Sequence, residues 1–454
     1  MSKKVVIIGA GVGGTAVAAR LAKRGFEVIV YEKNKFGGGR CSLINSNGHR
    51  FDQGPSLYLM PKIFEETFRE LGEDLSNHLI LFKCDPYYKV YFHDGECRIH
   101  YDISVRLGLK TNYPKLIDLL KVKNLHEIFK MHLHDSVYNR VCKYFTSDYL
   151  KKAFSFQTMY IGMSPFNAPG AYTLLQATEL IEGMWYPKGG FYQVVKALEN
   201  IAVNKFGAKF VYNCGVKKIK VNADGVATGV TLENGDFIEA DVIVCNADVV
   251  YAYNKLLPTT NYGLKLGKNY RLASSSISIY WNMKRKIEQL NVHNIFLAEE
   301  YRKSFDEIFD GRTLPNEPSF YVNVPSRIDH TAAPPGKDSI IVFVPVGHIV
   351  DKVKQNFENL VHIARKKVIE TIEKRLKIDN FEQYIENEIV NHPLIWREKF
   401  NLWNGSILGL SFSIPQVLYF RPPTRSHLFK QLYFVGASAH PGTGVPVVLS
   451  GSKL

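Results

Sequence analysis

No apolar run in the 454 residues approaches the ~20 that a spanning helix requires. A chain that crosses a bilayer on helices is therefore not expected. Cysteine is scarce: Cys41, Cys84, Cys97, Cys142, Cys214 and Cys245 are the whole set of six, and none forms a CxxC pair. That excludes a disulfide framework and a cysteine zinc site as organising features, and it suits free thiols in a reducing compartment. No metal site is expected. Internal repeats and low-complexity linkers are also missing. Acidic residues are outnumbered, 43 against 57 basic ones, for a formal charge of +14. A basic balance fits an anionic membrane surface, nucleic acid or plain solubility. No basic module interleaved with aromatics is visible, so nucleic acid is not expected as a partner. The apolar N-terminal stretch Val5–Ile8 runs into glycines that a folded site needs, which argues against a cleaved signal peptide.

What is there begins at once. Residues 4–32 read strand, glycine turn, helix, strand. The first strand is a continuous apolar run, as a parallel strand buried on both faces requires. Helical spacing follows at 62–72, from about Lys115 to Phe156, and at 191–206. Short alternating strands are expected over 79–101, then at 208–221, 226–232 and 237–245, the last two joined by a turn at Glu233-Asn234-Gly235. The middle of the chain carries strands at Ser276–Trp281 and Ile340–Val346 and a helix around 355–377; the end returns to strand, glycine loop and helix start. With 46% hydrophobic residues, the chain is long enough for several packed layers. The fold class is α/β: a Rossmann-type dinucleotide domain interleaved with a mixed α+β domain facing substrate or membrane. The first is assigned residues 1–75, 185–250 and 430–454, the second 76–184 and 251–429.

The chemistry sits in the glycines. Gly9, Gly11 and Gly14 satisfy GxGxxG inside a strand–turn–helix–strand unit, the context that gives this short motif its meaning. Gly9 allows the tight turn, Gly11 a close approach of backbone to pyrophosphate, and Gly14 close packing of helix on strand. Glu32 closes the second strand and can accept hydrogen bonds from a ribose diol while disfavouring a 2′-phosphate. These features fit either NAD or FAD. Gly38, Gly39 and Arg40 follow soon after, and they bring amides and a guanidinium toward the diphosphate of an extended cofactor, which favours FAD. Read alone, that segment is also compatible with a surface turn. Asp52, in Asp52-Gln53-Gly54-Pro55, fits a simple turn residue equally well.

These blocks resemble the flavin-dependent amine oxidase superfamily and, within it, the carotenoid (phytoene) desaturases of bacterial and fungal type. Phe51–Ser56 narrows the resemblance, and Leu432–Pro446 carries the desaturase signature, departing at Gln431. Trp185–Gly190 and Ser319–Ser326 look most like fungal members. The resemblance covers nearly the whole chain. It implies FAD as cofactor, Gly436 and Val445 at the flavin, and Val216 against the adenine end. It further implies a lipid-dissolved polyene as substrate and an intracellular, peripheral membrane location; an oligomeric state stays open. Asp148 and Lys151 share a helical face just before the aromatic run at 154–172, and they are the candidate acid–base pair, with a solvated surface pair as the bland alternative.

The function expected is FAD-dependent desaturation of a carotenoid precursor. A flavin carotene cis–trans isomerase or a ketolase would use the same fold, and a truncated, non-catalytic relative that binds FAD or membrane is a third reading. The third rests on two departures from the family. The stretch from about Arg98 to Leu109 is short, and the last helix has only about ten residues to Leu454. Weak flavin retention is the expectation that goes with it.

Overall fold

The computed structural model describes residues 2–94, 96–98, 135–350, 355–418 and 420–453. The short stretch expected between Arg98 and Leu109, and the helical pattern from Lys115 as far as residue 134, lie outside them.

A five-stranded parallel sheet forms the first layer, in the spatial order Leu432–Phe434, Val242–Cys245, Lys4–Ile8, Glu27–Tyr31, Lys209–Val211. Its strands come from the start, middle and end of the chain. Lys4–Ile8 is central, with Val6 and Ile7 fully buried, which explains its unbroken apolar run. In the helix Val12–Lys23, packed between this sheet and neighbouring helices, Gly13, Gly14, Thr15, Ala16, Ala18 and Ala19 are all buried. Small side chains let the helix sit close. A Cβ at Gly14 would stand 2.2 Å from the Gly9 carbonyl oxygen, so the close packing assigned to that glycine is literal. The helix Tyr192–Asn200, continued by a π-turn to Lys205, packs beside it. A three-stranded antiparallel sheet, Val216–Val221, Ala227–Leu232 and Phe237–Glu239, covers the other side; the expected turn joins its last two strands.

The second layer is a seven-stranded sheet ordered Ile385–Asn391, Ser275–Met283, Ser339–Val346, Phe320–Asn323, His293–Phe296, Lys89–Tyr91, Glu96–Arg98. All its pairs are antiparallel except His293–Phe296 with Lys89–Tyr91. Ser275–Met283 is buried along its whole length, because one face packs on the helix Phe357–Leu376 and the other, through Tyr280, on Phe51 of the hairpin Leu43–Ser46 and His49–Asp52. Asp52, at the end of the hairpin strand His49–Asp52, ties that hairpin to the strand Trp185–Pro187 and to the start of the helix Tyr192–Asn200. Its buried carboxylate accepts from the Tyr186 hydroxyl and the Phe191 amide, each at 2.7 Å. The simple-turn reading of Asp52 thus gives way to a structural one: burial raises its pKa, and these two donors hold it in place.

Candidate active site

Where the carboxyl ends of the parallel strands face the second layer, a single cavity of about 1310 Å³ opens. An open parallel sheet binds its ligands at this edge. Gly9, Gly11, Glu32, Gly38, Gly39, Arg40, Val216, Gly436 and Val445 all line it, so segments up to 436 residues apart in sequence (Gly9 to Val445) meet around one space.

Each contribution has a local cause. Gly9 holds φ +94° and turns the chain after the first strand. Glu32 is buried at the end of the second strand. Its Oε2 accepts from the Ala10 amide at 2.9 Å, and its Oε1 accepts from the Asn34 amide and side chain at 2.9 and 2.8 Å. A carboxylate offers about four acceptor sites, so Oε2 retains one for a donor in the cavity. Gly38 and Gly39 both take positive φ, which carries the chain past the helix start. Arg40 follows, its guanidinium donating to the Ile407 carbonyl. Burial lowers the pKa of Arg40, and the nearby Asp248 carboxylate opposes that shift. An acid for a ribose, a row of glycine backbone and a guanidinium facing one cavity form a donor and acceptor set suited to an extended dinucleotide.

Three residues that the motifs did not reveal support the site: Asn246 and Asp248 line the cavity, and Arg421 lies behind its C-terminal loop. Asn246 follows the strand Val242–Cys245 and threads beneath both glycine loops. Its amide donates to Ile8, its side chain donates to the Val435 carbonyl at 2.9 Å, and a Cβ at Gly11 would meet its Oδ1 at 2.7 Å. Asp248 caps the next turn by accepting from the Tyr251 amide, and it accepts from the Ser438 hydroxyl at 2.5 Å; burial raises its pKa. Arg421 is buried under the C-terminal loop and donates to the carbonyls of Ala439, Ser411, Leu410 and Ala437. Its guanidinium stacks 4.4 Å over Phe412, and burial lowers its pKa to about 10. The only signal for Asn246 and Asp248 was their place after an apolar strand; Arg421 gave none.

The C-terminal helix spans Val445–Gly451, starting after Gly444 at φ +100°. It packs against the helices Val12–Lys23 and Pro61–Glu70 through Val448 and Leu449. Beyond the glycine loops the cavity turns apolar, walled by Leu57, Phe156, Met159, Tyr160, Tyr172 and Phe412 among others. Part of the aromatic run at 154–172 is therefore wall rather than core. Asp148 and Lys151 lie elsewhere. They form a 2.8 Å ion pair on the short helix Asp148–Ala153, with Asp148 78% exposed, and neither lines the cavity.

Over residues 12–452 the chain matches the family described as flavin containing amine oxidoreductase. The chain belongs to that family. Within it, the chain is 52% identical to the phytoene desaturase of Phycomyces blakesleeanus, covering 100% of this chain and 84% of the relative. It is 46% identical to the phytoene desaturase of Fusarium fujikuroi (100% and 88%) and 39% identical to the zeta-carotene-forming phytoene desaturase of Myxococcus xanthus (100% and 93%). It therefore sits with the fungal and bacterial desaturases, as the sequence motifs imply. Among solved structures it resembles an oxidoreductase from Methanosarcina mazei, with a TM-score of 0.67, 19% identity and 99% of each chain covered. It also resembles putrescine oxidase bound to putrescine, with a TM-score of 0.64, 14% identity and 100% and 98% covered. At such identities these two support the fold alone. The cofactor of this oxidoreductase is FAD.

Proposed function

We propose that this enzyme desaturates phytoene, or a closely similar acyclic polyene, with bound FAD as the oxidant. The observation that carries the reading is full-length identity of 39–52% to phytoene desaturases, in a chain whose dinucleotide site opens directly into an apolar cavity. A hydrocarbon substrate gives a protein no polar handle. Its recognition must come from shape and apolar burial, which the walls at Leu57, Met159 and Phe412 supply. FAD, when bound, supplies a two-electron acceptor. The glycine loops, Glu32 and Arg40 would hold it at one end of the cavity, and the apolar walls would keep water away from the reacting carbons.

Phytoene is lipid-dissolved, so the substrate reaches the enzyme from a membrane. Among the described residues no helix is long and apolar enough to cross one. We infer an intracellular enzyme attached reversibly to an anionic membrane face through its basic surface. Expression in a host that accumulates phytoene tests the function: coloured carotenes with fewer hydrogens are expected. Unchanged phytoene, or an isomer of unchanged mass, would contradict it.

A further inference from the structure

Where the glycine loops give way to apolar walls, the cavity borders a set of polar side chains that the cofactor site does not use. The strands His293–Phe296 and Phe320–Asn323 pair antiparallel, with His293 opposite Asn323 and Ile295 opposite Tyr321. Side chains alternate along a strand, so these four share one face of the sheet. Ile295 and Tyr321 line the cavity, as does Phe343, opposite Tyr321 on the next strand. His293 and Asn323 are fully buried beside them. Gly54 fixes where along the cavity this happens. A Cβ there would stand 2.6 Å from the Arg40 carbonyl oxygen. Two residues on, the wall residue Ser56 has its Oγ 2.8 Å from the Tyr321 hydroxyl. A hydrocarbon gives these polar groups nothing to bind, and burying them costs stability.

The hydrogen bonds fix which nitrogen of His293 carries the proton. Its Nδ1 lies 2.7 Å from the Tyr321 hydroxyl and 3.3 Å from the Asn323 side-chain nitrogen. That amide nitrogen also donates to the Val292 carbonyl at 3.0 Å, which sets the orientation of the Asn323 side chain. Its second N–H is the one that meets Nδ1. A ring nitrogen that receives an N–H is an acceptor, so the imidazole proton sits on Nε2, 3.4 Å from the Cys84 sulfur. The Tyr321 hydroxyl then donates to Nδ1, and the Ser56 hydroxyl donates to the Tyr321 oxygen. Burial lowers the pKa of His293 to about 3 and raises that of Tyr321, so both are neutral at physiological pH. The result is a phenol in the cavity wall whose proton already points at a free acceptor.

We propose that Tyr321 is a catalytic residue that takes the proton released in desaturation, and that His293 is the positioning residue that holds its hydroxyl and accepts the phenolic proton in turn. The proposal rests on the desaturase reading above. Two hydrogens must leave neighbouring carbons. One C–H bond breaks with its electron pair passing to FAD, the two-electron acceptor, and its carbon is left electron-deficient. The adjacent C–H bond then breaks and leaves its pair as the new C=C bond. Its proton bonds to the Tyr321 oxygen, while the proton already on that oxygen moves along the 2.7 Å hydrogen bond to His293 Nδ1. The positive charge leaves carbon and ends on the imidazolium, so charge and electrons balance. A buried imidazole is a weak base, but a C–H bond beside a cationic carbon gives up its proton more readily still. A neutral acceptor also suits an apolar cavity, because charge is moved there and not separated.

The test uses the full chain loaded with FAD, phytoene in phosphatidylcholine vesicles, and the variants Y321F and H293N. Asparagine keeps an acceptor near the place of Nδ1 but cannot take up a proton. We expect each variant to lose about 10²–10⁴-fold in kcat per bound flavin, the range of general acid–base catalysis, with KM unchanged. Phytoene deuterated at the carbon that loses the proton supplies a readout that a structural role would not move. Its isotope effect on kcat should grow in Y321F, where breaking that C–H bond becomes limiting. A second readout needs no turnover. Nitrogen NMR of wild-type protein labelled in histidine should show His293, assigned by its loss in H293N, unprotonated at Nδ1 and protonated at Nε2. The Nδ1 signal should shift in Y321F. Wild-type kcat per bound flavin in Y321F or H293N would overturn the route while leaving the desaturase reading intact. So would a slow Y321F with an unchanged isotope effect, or a protonated Nδ1 in the wild type. Failure of the wild-type protein to convert phytoene would overturn both.

Discussion

At the scale of single residues, the site depends on atoms that cannot be moved apart. Gly11 is the sharpest case. A Cβ there would sit 2.7 Å from Asn246 Oδ1, and Asn246 is tied to the Val435 carbonyl. Gly11→Val must either displace that asparagine or push a methyl toward the pyrophosphate. We expect loss of FAD retention from a protein that still folds, read as flavin absorbance per mole of chain; full occupancy would contradict the placement. Glu179, buried on the helix Leu174–Glu182, makes a second prediction, on stability. Its folded pKa of about 8 lies above its ordinary value of 4.5. Between those two values the folded state holds a proton that the unfolded state has lost, so stability falls as pH rises through that window. E179Q should flatten this fall, with a difference on the order of a few kcal/mol at the upper end, measured as urea midpoints at several pH values. The glycines, Glu32 and Arg40 were legible in the sequence because each belongs to a short spacing with one physical meaning. Asn246, Arg421 and Glu179 were not. Their partners lie 189, 18 and 22 residues away, and only the fold brings them together.

At the scale of elements, periodicity located most of the skeleton. The expected helices at 62–72 and 355–377 are Pro61–Glu70 and Phe357–Leu376, and the expected strand at Ser276–Trp281 extends to Ser275–Met283. The order of strands was hidden. Nothing local says that Lys89–Tyr91 runs parallel to His293–Phe296 in an otherwise antiparallel sheet. Asp148 and Lys151 show the limit of spacing as an argument: i and i+3 placed them on one helical face, and that face meets solvent. The C-terminal helix is the element on which most converges. It has seven residues, too few to persist alone, so tertiary packing holds it. Leu449 is fully buried there against the first helix. Flanking it, Arg20 bonds Ser452, and Lys453 pairs with Glu70. Leu449→Ala should cost about 2–5 kcal/mol by opening a cavity in this contact. FAD retention should fall in parallel, because Val448 of the same helix touches the glycine loop beside Gly13. A destabilised variant with undiminished flavin would separate the helix from the site.

At the scale of the whole molecule, two surfaces must meet: a basic exterior and an apolar interior. The proposed attachment to an anionic surface, by a chain of formal charge +14, should weaken with salt, since exposed charges are screened within about 8–10 Å at physiological ionic strength. Flotation with anionic but not neutral vesicles, reduced by added salt, is the expected outcome; equal flotation with both, or none with either, would contradict it. The interior makes the larger claim, that one cavity holds FAD at its glycine end and a hydrocarbon against Phe156, Met159 and Phe412. The most direct measurement mixes purified FAD-loaded protein with phytoene in vesicles and follows product mass and absorbance together. Products lighter by whole pairs of hydrogens are expected, with absorbance moving to longer wavelength. A product of unchanged mass, or phytoene recovered intact from flavin-replete protein, would contradict it.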